Sequence, residues 1–175
     1  MPSRQPHRSP IDPADVTFLR VSNKLILLRF IERGIKCLLL LAVASLPLIL
    51  LGTGAWPGFP AWLAWLLAAV VLACCLWALL LVPRQVHAIG YAERDDDLII
   101  RHGIMFHRIM VVPYGRMQYV DVTVGPLERA LGLSSIKLHT ASPGTNAYLT
   151  GLPAAEAGRL REQLSARGEA KLAGL

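Results

Sequence analysis

Four histidines between positions 87 and 139 are the side chains best suited to acid–base or metal chemistry, namely His87, His102, His107 and His139. None stands at the spacing of a helix-borne metal site, and no acidic residue close in sequence completes a ligand set. Histidines isolated in this way are typical of side chains that are exposed or that make one structural hydrogen bond. We therefore predict that no metal site is built on them.

The cysteines and one acidic run do not suggest a metal site either. Cys37, Cys74 and Cys75 all lie in a strongly apolar block without a Cys-x-x-Cys pair, where they act as small hydrophobic residues. The run Asp95-Asp96-Asp97 lacks the glycine and the terminal glutamate of an EF-hand loop. We interpret it as a solvated turn.

Motifs of nucleophilic or nucleotide chemistry are also missing from the sequence. Ser134-Ser135 stands in no Gly-x-Ser-x-Gly elbow, and Gly52-Thr53-Gly54 lacks both the third glycine and the strand-to-helix setting of a dinucleotide fingerprint. The sequence therefore predicts a protein that is not an enzyme and that holds no cofactor.

The distribution of apolar residues predicts a membrane protein. The chain is 54% hydrophobic and only 17% charged, and the block from Ile35 to Val82 holds no acidic residue and a single base, Lys36. A helix needs about 20 apolar residues to cross a bilayer. We predict two transmembrane helices, at residues 31–51 and 60–82, with Pro47 kinking the first and Ser45 helping to satisfy the freed carbonyl.

The positions of the basic residues predict the orientation of these helices. Seven bases lie before the first span or in its first turns: Arg4, Arg8, Arg20, Lys24, Arg29, Arg33 and Lys36. Arg84 follows the second span, and the loop between the spans has no charge. By the positive-inside rule both termini are expected in the cytoplasm. The basic residues behind the net charge of +6 are therefore expected to contact the membrane surface, and nucleic acid is not expected as a partner.

The chain is divided by this pattern into four parts. Residues 1–21 are expected to form a disordered tail, residues 22–83 an interfacial helix and the two spans, residues 84–168 a cytoplasmic domain, and residues 169–175 a second tail. In the interfacial helix Arg29, Arg33 and Lys36 share one face. That face either binds anionic lipid or is simply the solvated edge of the first membrane helix.

After Arg84 the hydrophobic period becomes that of strands, and one amphipathic helix follows. We predict six strands, at Gln85–Ala92, Asp97–His102, Ile104–Val112, Arg116–Val124, Ser135–Thr140 and Asn146–Thr150. A short helix is expected at residues 126–133, and a longer one at 153–167. The fold class is thus α+β, with a two-helix transmembrane hairpin followed by a bent sheet or partly open barrel that packs against a C-terminal amphipathic helix.

Several short motifs make this region similar to a known family. They are Arg101-His102-Gly103-Ile104, the run from Val112 to Val120, Gly125-Pro126-Leu127-Glu128-Arg129, Leu131-Gly132-Leu133, His139-Thr140-Ala141 and Gly151-Leu152-Pro153. In this order and spacing the chain resembles the bacterial pleckstrin-homology-like (PH-like) domains of the YdbS-like membrane proteins. The resemblance implies a PH-like barrel close to the cytoplasmic face of a bacterial cell membrane. It also implies that proteins of this kind often act with a second, larger membrane protein of the same family. It implies neither catalysis nor a phosphoinositide site.

These observations lead to one functional hypothesis and one alternative. The leading hypothesis is a membrane-anchored interaction module that docks on a partner membrane protein and on adjacent phospholipid headgroups. Its candidate surface consists of eight bases: Arg29, Arg33, Lys36, Arg84, Arg101, Arg108, Arg116 and Arg129. The alternative is a sensor that binds a lipid or a small ligand.

A stripe of small residues in the second span leaves two modes of helix packing open. Ala61, Ala64, Ala68, Ala69 and Ala73 permit close approach of another helix. They serve either a homo-oligomer formed through the transmembrane helices or the packing of the two spans of one chain.

Overall fold

The computed structural model describes residues 16–56, 58–104, 106–141 and 146–172. The chain forms two compact units. Residues Ile26–Pro83 make up the first, which we call the helical hairpin. The described residues up to Leu25, together with those from Arg84 onward, make up the second, the β domain. The hairpin is therefore an insertion between two parts of one folded domain.

The helical hairpin contains two long helices, α1 (Lys24–Gly52) and α2 (Ala61–Leu80). Their 29 and 20 residues correspond to about 44 and 30 Å at 1.5 Å per residue, and both are long and apolar enough to cross a membrane. The predicted interfacial helix and first span are one continuous helix with Pro47 inside it. Ser45 Oγ donates to the carbonyl of Ala42 at 2.8 Å, one residue away from the Val43 carbonyl that Pro47 leaves free.

The two helices each contribute a narrow row of covered residues. The less exposed positions repeat at intervals of three and four, as in antiparallel helix packing: Cys37, Leu41, Ala44 and Leu48 on α1, and Ala64, Ala68, Val71 and Cys75 on α2. Arg33 Nη1 also donates to the Ala78 carbonyl at 2.8 Å. Ala64 is fully buried, which favours packing within the chain, whereas Ala61, Ala69 and Ala73 are exposed.

The first sheet of the β domain has the antiparallel order β1-β2-β3-β4. Its strands are β1 (Leu19–Arg20), β2 (Gly90–Glu93), β3 (Asp97–His102) and β4 (Arg108–Pro113). β1 precedes the hairpin and pairs with β2, which follows it. The tail predicted over residues 1–21 is therefore wrong for Leu19–Arg20, because β2 offers that segment a strand partner. The first fifteen residues lie outside the described part of the chain.

Two other strand predictions for this sheet need correction. Gln85–Ala92 was predicted as one strand, but helix α3 runs from Val82 to His87 and β2 begins only at Gly90. Val82 and Val86, four residues apart, are both buried, which is helical spacing. The strand predicted at Ile104–Val112 begins at Arg108, because the chain first turns back at Gly103, whose φ is +101°.

The second sheet has the antiparallel order β5-β6-β7. It comprises β5 (Met117–Thr123), β6 (Leu133–Thr140) and β7 (Ala147–Pro153). A single 3₁₀ turn (Tyr114–Arg116) leads into β5, and the short helix α4 (Pro126–Leu131) connects β5 to β6. The last helix, α5, runs over Ala154–Leu172, so the tail predicted from residue 169 begins within a helix.

The core of the β domain lies between the two sheets and α5. The predicted stripe of α5 is confirmed, since Ala157, Leu160 and Leu164 are all buried. Tyr114 is fully buried and donates its hydroxyl to the Arg94 carbonyl at 2.9 Å. The α+β prediction, with an open pair of sheets and a C-terminal helix, is confirmed.

A polar network fastens the start of α5 to β2. The Tyr91 hydroxyl donates to Glu156 at 2.9 Å, and Arg159 donates to Glu93 at 2.6 Å. The Arg159 guanidinium, and next to it the Tyr91 hydroxyl, hold the pKa of Glu156 below its usual value. Burial, reinforced by Glu156, raises the pKa of Tyr91. These charges therefore serve the attachment of the helix.

Candidate functional site

One edge of the first sheet is defined by the places where the chain leaves for the helical hairpin and returns from it. Arg20 pairs with Gly90, Gly90 pairs with Arg101, and His102 pairs with Arg108. The end of β1, the start of β2 and the connection between β3 and β4 therefore lie side by side, where the strands end. We call this row of strand ends the hairpin-side edge, and the segment Gly103–His107 the β3–β4 loop.

The two edges of this sheet differ in charge. No acidic residue occurs between Asp97 and Asp121, a stretch that includes all of β4 and the β3–β4 loop. The opposite edge carries the turn between β2 and β3, in which Glu93 and Asp95-Asp96-Asp97 lie together. Positive charge near the loop is therefore not neutralised by acids of its own segment, whereas the opposite edge concentrates carboxylates.

Arg101 was predicted to belong to an exposed basic surface, and the structure corrects this. Its side chain is only 8% exposed, and its guanidinium lies 4.7 Å from the centre of the Phe18 ring. β3 is a central strand whose four middle residues are all buried, so it has no open face for a charged side chain. Arg101 helps to hold the segment before the hairpin on the sheet.

The other four predicted arginines of the β domain are exposed and belong to different elements. Arg84 belongs to α3, Arg108 begins β4 at the hairpin-side edge, and Arg129 lies in α4. Arg116 follows the far end of β4, and the strand alone separates Arg108 from Pro113 by about 17 Å at roughly 3.4 Å per residue. Arg108 and Arg116 thus lie at opposite ends of β4.

The three predicted bases of the helical hairpin have different surroundings. Lys36 is exposed and Arg29 is half-buried. Arg33 spends one nitrogen on the Ala78 carbonyl, as described above. Of these bases, Arg33 therefore contributes directly to the packing of α1 on α2.

The β3–β4 loop presents a feature that the strand prediction concealed. Gly103 adopts φ +101°, and a Cβ at this position would lie 1.9 Å from the carbonyl oxygen of Phe106. The backbones of Gly103 and Phe106 therefore approach each other closely, as only glycine allows. Phe106 is 86% exposed, and His107 and Arg108 beside it are exposed too. The sequence did contain a signal for this loop, because Gly103 is followed by consecutive apolar residues, which break the alternation of a strand.

A second exposed feature is the outer edge of β5. Among the described residues β5 pairs with β6 only, so its other side has no strand partner there. Tyr119 is 57% exposed and stacks on His139 with ring centres 4.2 Å apart. Val124, just after the strand, is exposed as well. An open edge with apolar side chains is a ready template for another strand.

The residues considered for chemistry are engaged in structural contacts or are dispersed. His102 Nε2 lies 3.1 Å from the Tyr148 carbonyl, and His139 stacks on Tyr119. Within the described ranges no three His, Cys, Asp or Glu side chains are grouped as a metal ion requires. A depression of about 240 Å³ between β5 and α5 is smaller than the roughly 300–1,000 Å³ of common ligand pockets.

Comparison with known proteins identifies the family. The family model described as "Bacterial PH domain" matches residues 26–168. The chain is also 31% identical, over 108 residues, to the "UPF0699 transmembrane protein YdbS" of Bacillus subtilis (strain 168), a match that covers 61% of this chain and 67% of that protein. No solved structure matches significantly. The resemblance predicted from the sequence motifs is confirmed, and this chain is a membrane protein that belongs to the bacterial PH domain family.

Proposed function

We propose that this protein is a membrane-anchored, non-catalytic module whose β domain docks on a partner membrane protein and on the adjacent phospholipid headgroups. One observation carries the proposal: β1, before the hairpin, and β2, after it, are neighbours in one sheet. A single folded domain therefore receives both ends of the hairpin, and both ends must reach the same side of a membrane. An even number of spans, here two, satisfies that condition.

The charge of the hairpin supports an anchor in the bacterial cell membrane with both termini in the cytoplasm. Bases precede α1 and Arg84 follows α2, whereas the connection from Thr53 to Pro60 has none. Positively charged segments next to spans remain on the cytoplasmic side. The curated relative is likewise described as a transmembrane protein.

Docking on a partner protein is supported by the open edge of β5. Tyr119 and Val124 offer apolar contact area beside a strand edge that has no strand partner among the described residues, the combination that strand addition uses. Contact with headgroups is supported by the exposed Arg84 and Arg108, since basic residues near an anionic membrane surface are attracted to it. A partner of the same family remains the expected one.

Site-specific crosslinking in living cells tests the proposal. A photo-reactive amino acid replaces Tyr119 at the β5 edge, and a matched control carries it at Arg161, an exposed position on α5. After irradiation, Tyr119 is expected to give an adduct that mass spectrometry identifies as a membrane protein, while Arg161 gives none. A membrane-integrated chain that forms no adduct at Tyr119 or at Val124 contradicts docking through this edge.

A further inference from the structure

We propose that Phe106, in the β3–β4 loop, inserts into the interfacial layer of the same bilayer that holds the helical hairpin. This inference rests on the membrane anchorage in the proposed function and adds a second contact with lipid. The β domain would then be held against the membrane by the hairpin and by the loop together.

The position of the loop is given by the register of the first sheet. Counting across the strands, Arg20 lies beside Gly90, Gly90 beside Arg101, and Arg101 beside Ile109. The chain leaves for α1 shortly after Arg20, and it returns through α3 shortly before Gly90. The β3–β4 loop thus lies at the same strand ends at which the chain leaves for α1 and returns from α3.

The segment where the chain departs is itself fixed to the β domain. The Ser22 amide donates to the Gly151 carbonyl at 2.9 Å, and Lys24 Nζ donates to the Leu131 carbonyl at 3.2 Å. Leu25 is buried. The point of departure is therefore a defined place on the domain, and the hairpin-side edge is a lasting feature of the fold.

Phe106 is held by a close backbone contact with Gly103 and is highly exposed. A Cβ on Gly103 would collide with the backbone of Phe106, so this contact depends on glycine at this position. Phe106 is more exposed than any other large hydrophobic residue described, at 86%. A phenylalanine ring kept in water is unfavourable, whereas the same ring is stable at the boundary of headgroups and acyl chains.

The charges around the ring agree with an anionic lipid surface. His107 and Arg108 follow Phe106 and are exposed, and the nearest acidic residues in sequence, Asp97 and Asp121, lie well outside the loop. An exposed aromatic ring with an arginine close by is the pattern of segments that enter the interface of anionic membranes. A pocket of another protein, or a second copy of this chain, is the competing occupant.

Depth-dependent quenching tests the inference in the full-length chain. The protein, with Cys37, Cys74 and Cys75 replaced by alanine, is reconstituted in nanodiscs of phosphatidylethanolamine and phosphatidylglycerol. A single cysteine at position 106 carries an environment-sensitive fluorophore, and lipids with a nitroxide near the headgroup act as quencher. The matched control is a cysteine at Val111, which lies on β4 and is 52% exposed. We expect about twofold stronger quenching at 106 than at 111, because interfacial residues lie roughly 5–10 Å inside the boundary.

Failure of the inference can be told apart from failure of the proposed function. All four tryptophans, Trp56, Trp62, Trp65 and Trp77, belong to the helical hairpin, so their quenching by the same lipids reports anchorage independently. If the tryptophans are quenched but the labels at 106 and 111 give an equal, water-like signal, the insertion of Phe106 is overturned and the membrane anchorage is not. A label at 106 that is shielded from water but not quenched by lipid lies against a second copy, and this also overturns the inference.

A second variant removes the effect of the label itself. The fluorophore is moved to His107, and Phe106 is either kept or changed to Asp. If the ring inserts, Phe106→Asp is expected to abolish the quenching at 107, because a carboxylate is repelled from anionic headgroups. Quenching that persists unchanged in Phe106→Asp would contradict the proposal.

Discussion

The helical hairpin and the β domain use the same apolar side chains in opposite ways. Leu80 of α2 is 72% exposed, whereas Leu138 of β6 is fully buried. Only 11% of the most apolar window of each long helix is buried, so the hairpin has almost no core of its own. The β domain buries its apolar residues between two sheets and a helix. The difference indicates the solvent: one unit is built for lipid and the other for water.

The largest expected effect comes from removing a buried leucine of the β domain. Leu138→Ala should lower the free energy of unfolding of the domain by about 2–5 kcal/mol, because it leaves a cavity. The matched change Leu80→Ala should have little effect on the domain. All four tyrosines, Tyr91, Tyr114, Tyr119 and Tyr148, lie in the β domain, so near-ultraviolet circular dichroism of their band in mild detergent follows its denaturation. Equal midpoints for the two variants would contradict the comparison.

A charge placed on the outward surface distinguishes the two units most directly. Val70 on α2 and Val111 on β4 are both 52% exposed. Val70→Arg should disfavour insertion of the second span by about 2.5–3.5 kcal/mol, the cost of arginine near the centre of a membrane helix. Val111→Arg meets water and should be neutral. The measurement is the fraction of the chain that resists extraction by alkaline carbonate, and a Val70→Arg chain that resists as fully as the wild type would place this face outside the bilayer.

The junction between the chain before α1 and the second sheet should be sensitive to one methyl group. Gly151 has φ +82°, and a Cβ there would lie 2.5 Å from Leu25 Cδ2. Gly151→Ala is expected to destabilise the β domain by roughly 1–3 kcal/mol, through strain and displacement of Leu25. Gly158→Ala is the control, because α5 offers open space at that position. Thermal denaturation should show a lower midpoint for the first variant and an equal or higher one for the second.

The smallest expected effect is a dependence on pH in the attachment of α5. Because the pKa of Glu156 is lowered in the fold, its contribution is present above the unfolded value of about 4.3 and is lost as pH falls through the folded value. Glu156→Gln should therefore lower the denaturation midpoint near neutral pH. The gap between variant and wild type should shrink in acid, and a gap that stays constant down to the acid range would mean that ionisation of Glu156 contributes nothing.

Local patterns in the sequence were sufficient for most of the secondary structure. The strand Asp97–His102, the short helix after Gly125 and the stripe of Leu160 and Leu164 on α5 follow from period, glycine and proline signals. The segment Gln85–Ala92 shows the limit of such patterns, because it was predicted as one strand and its first residues belong to helix α3. A run of eight residues fits both periods, and burial of Val82 together with Val86 decided for the helix.

The candidate site was predicted less well, because it depends on contacts between residues distant in sequence. Arg101 was assigned to the surface from its charge, yet it is covered by Phe18, which belongs to the chain segment before the hairpin. Phe106 was assigned to a strand and lies instead on a tight loop. Neither outcome is contained in the spacing of neighbouring residues.

By itself the sequence determined that the chain has two lipid-facing helices, where they lie and which end carries the positive charge, because hydrophobic length and charge act on each segment separately. The tertiary structure alone decided that the hairpin interrupts a domain. The pairing of Leu19–Arg20 with β2 joins residues separated by the whole hairpin, and such a pairing depends on backbone hydrogen bonds, which every sequence possesses. That pairing brings the two ends of the hairpin and the β3–β4 loop to one edge of the sheet.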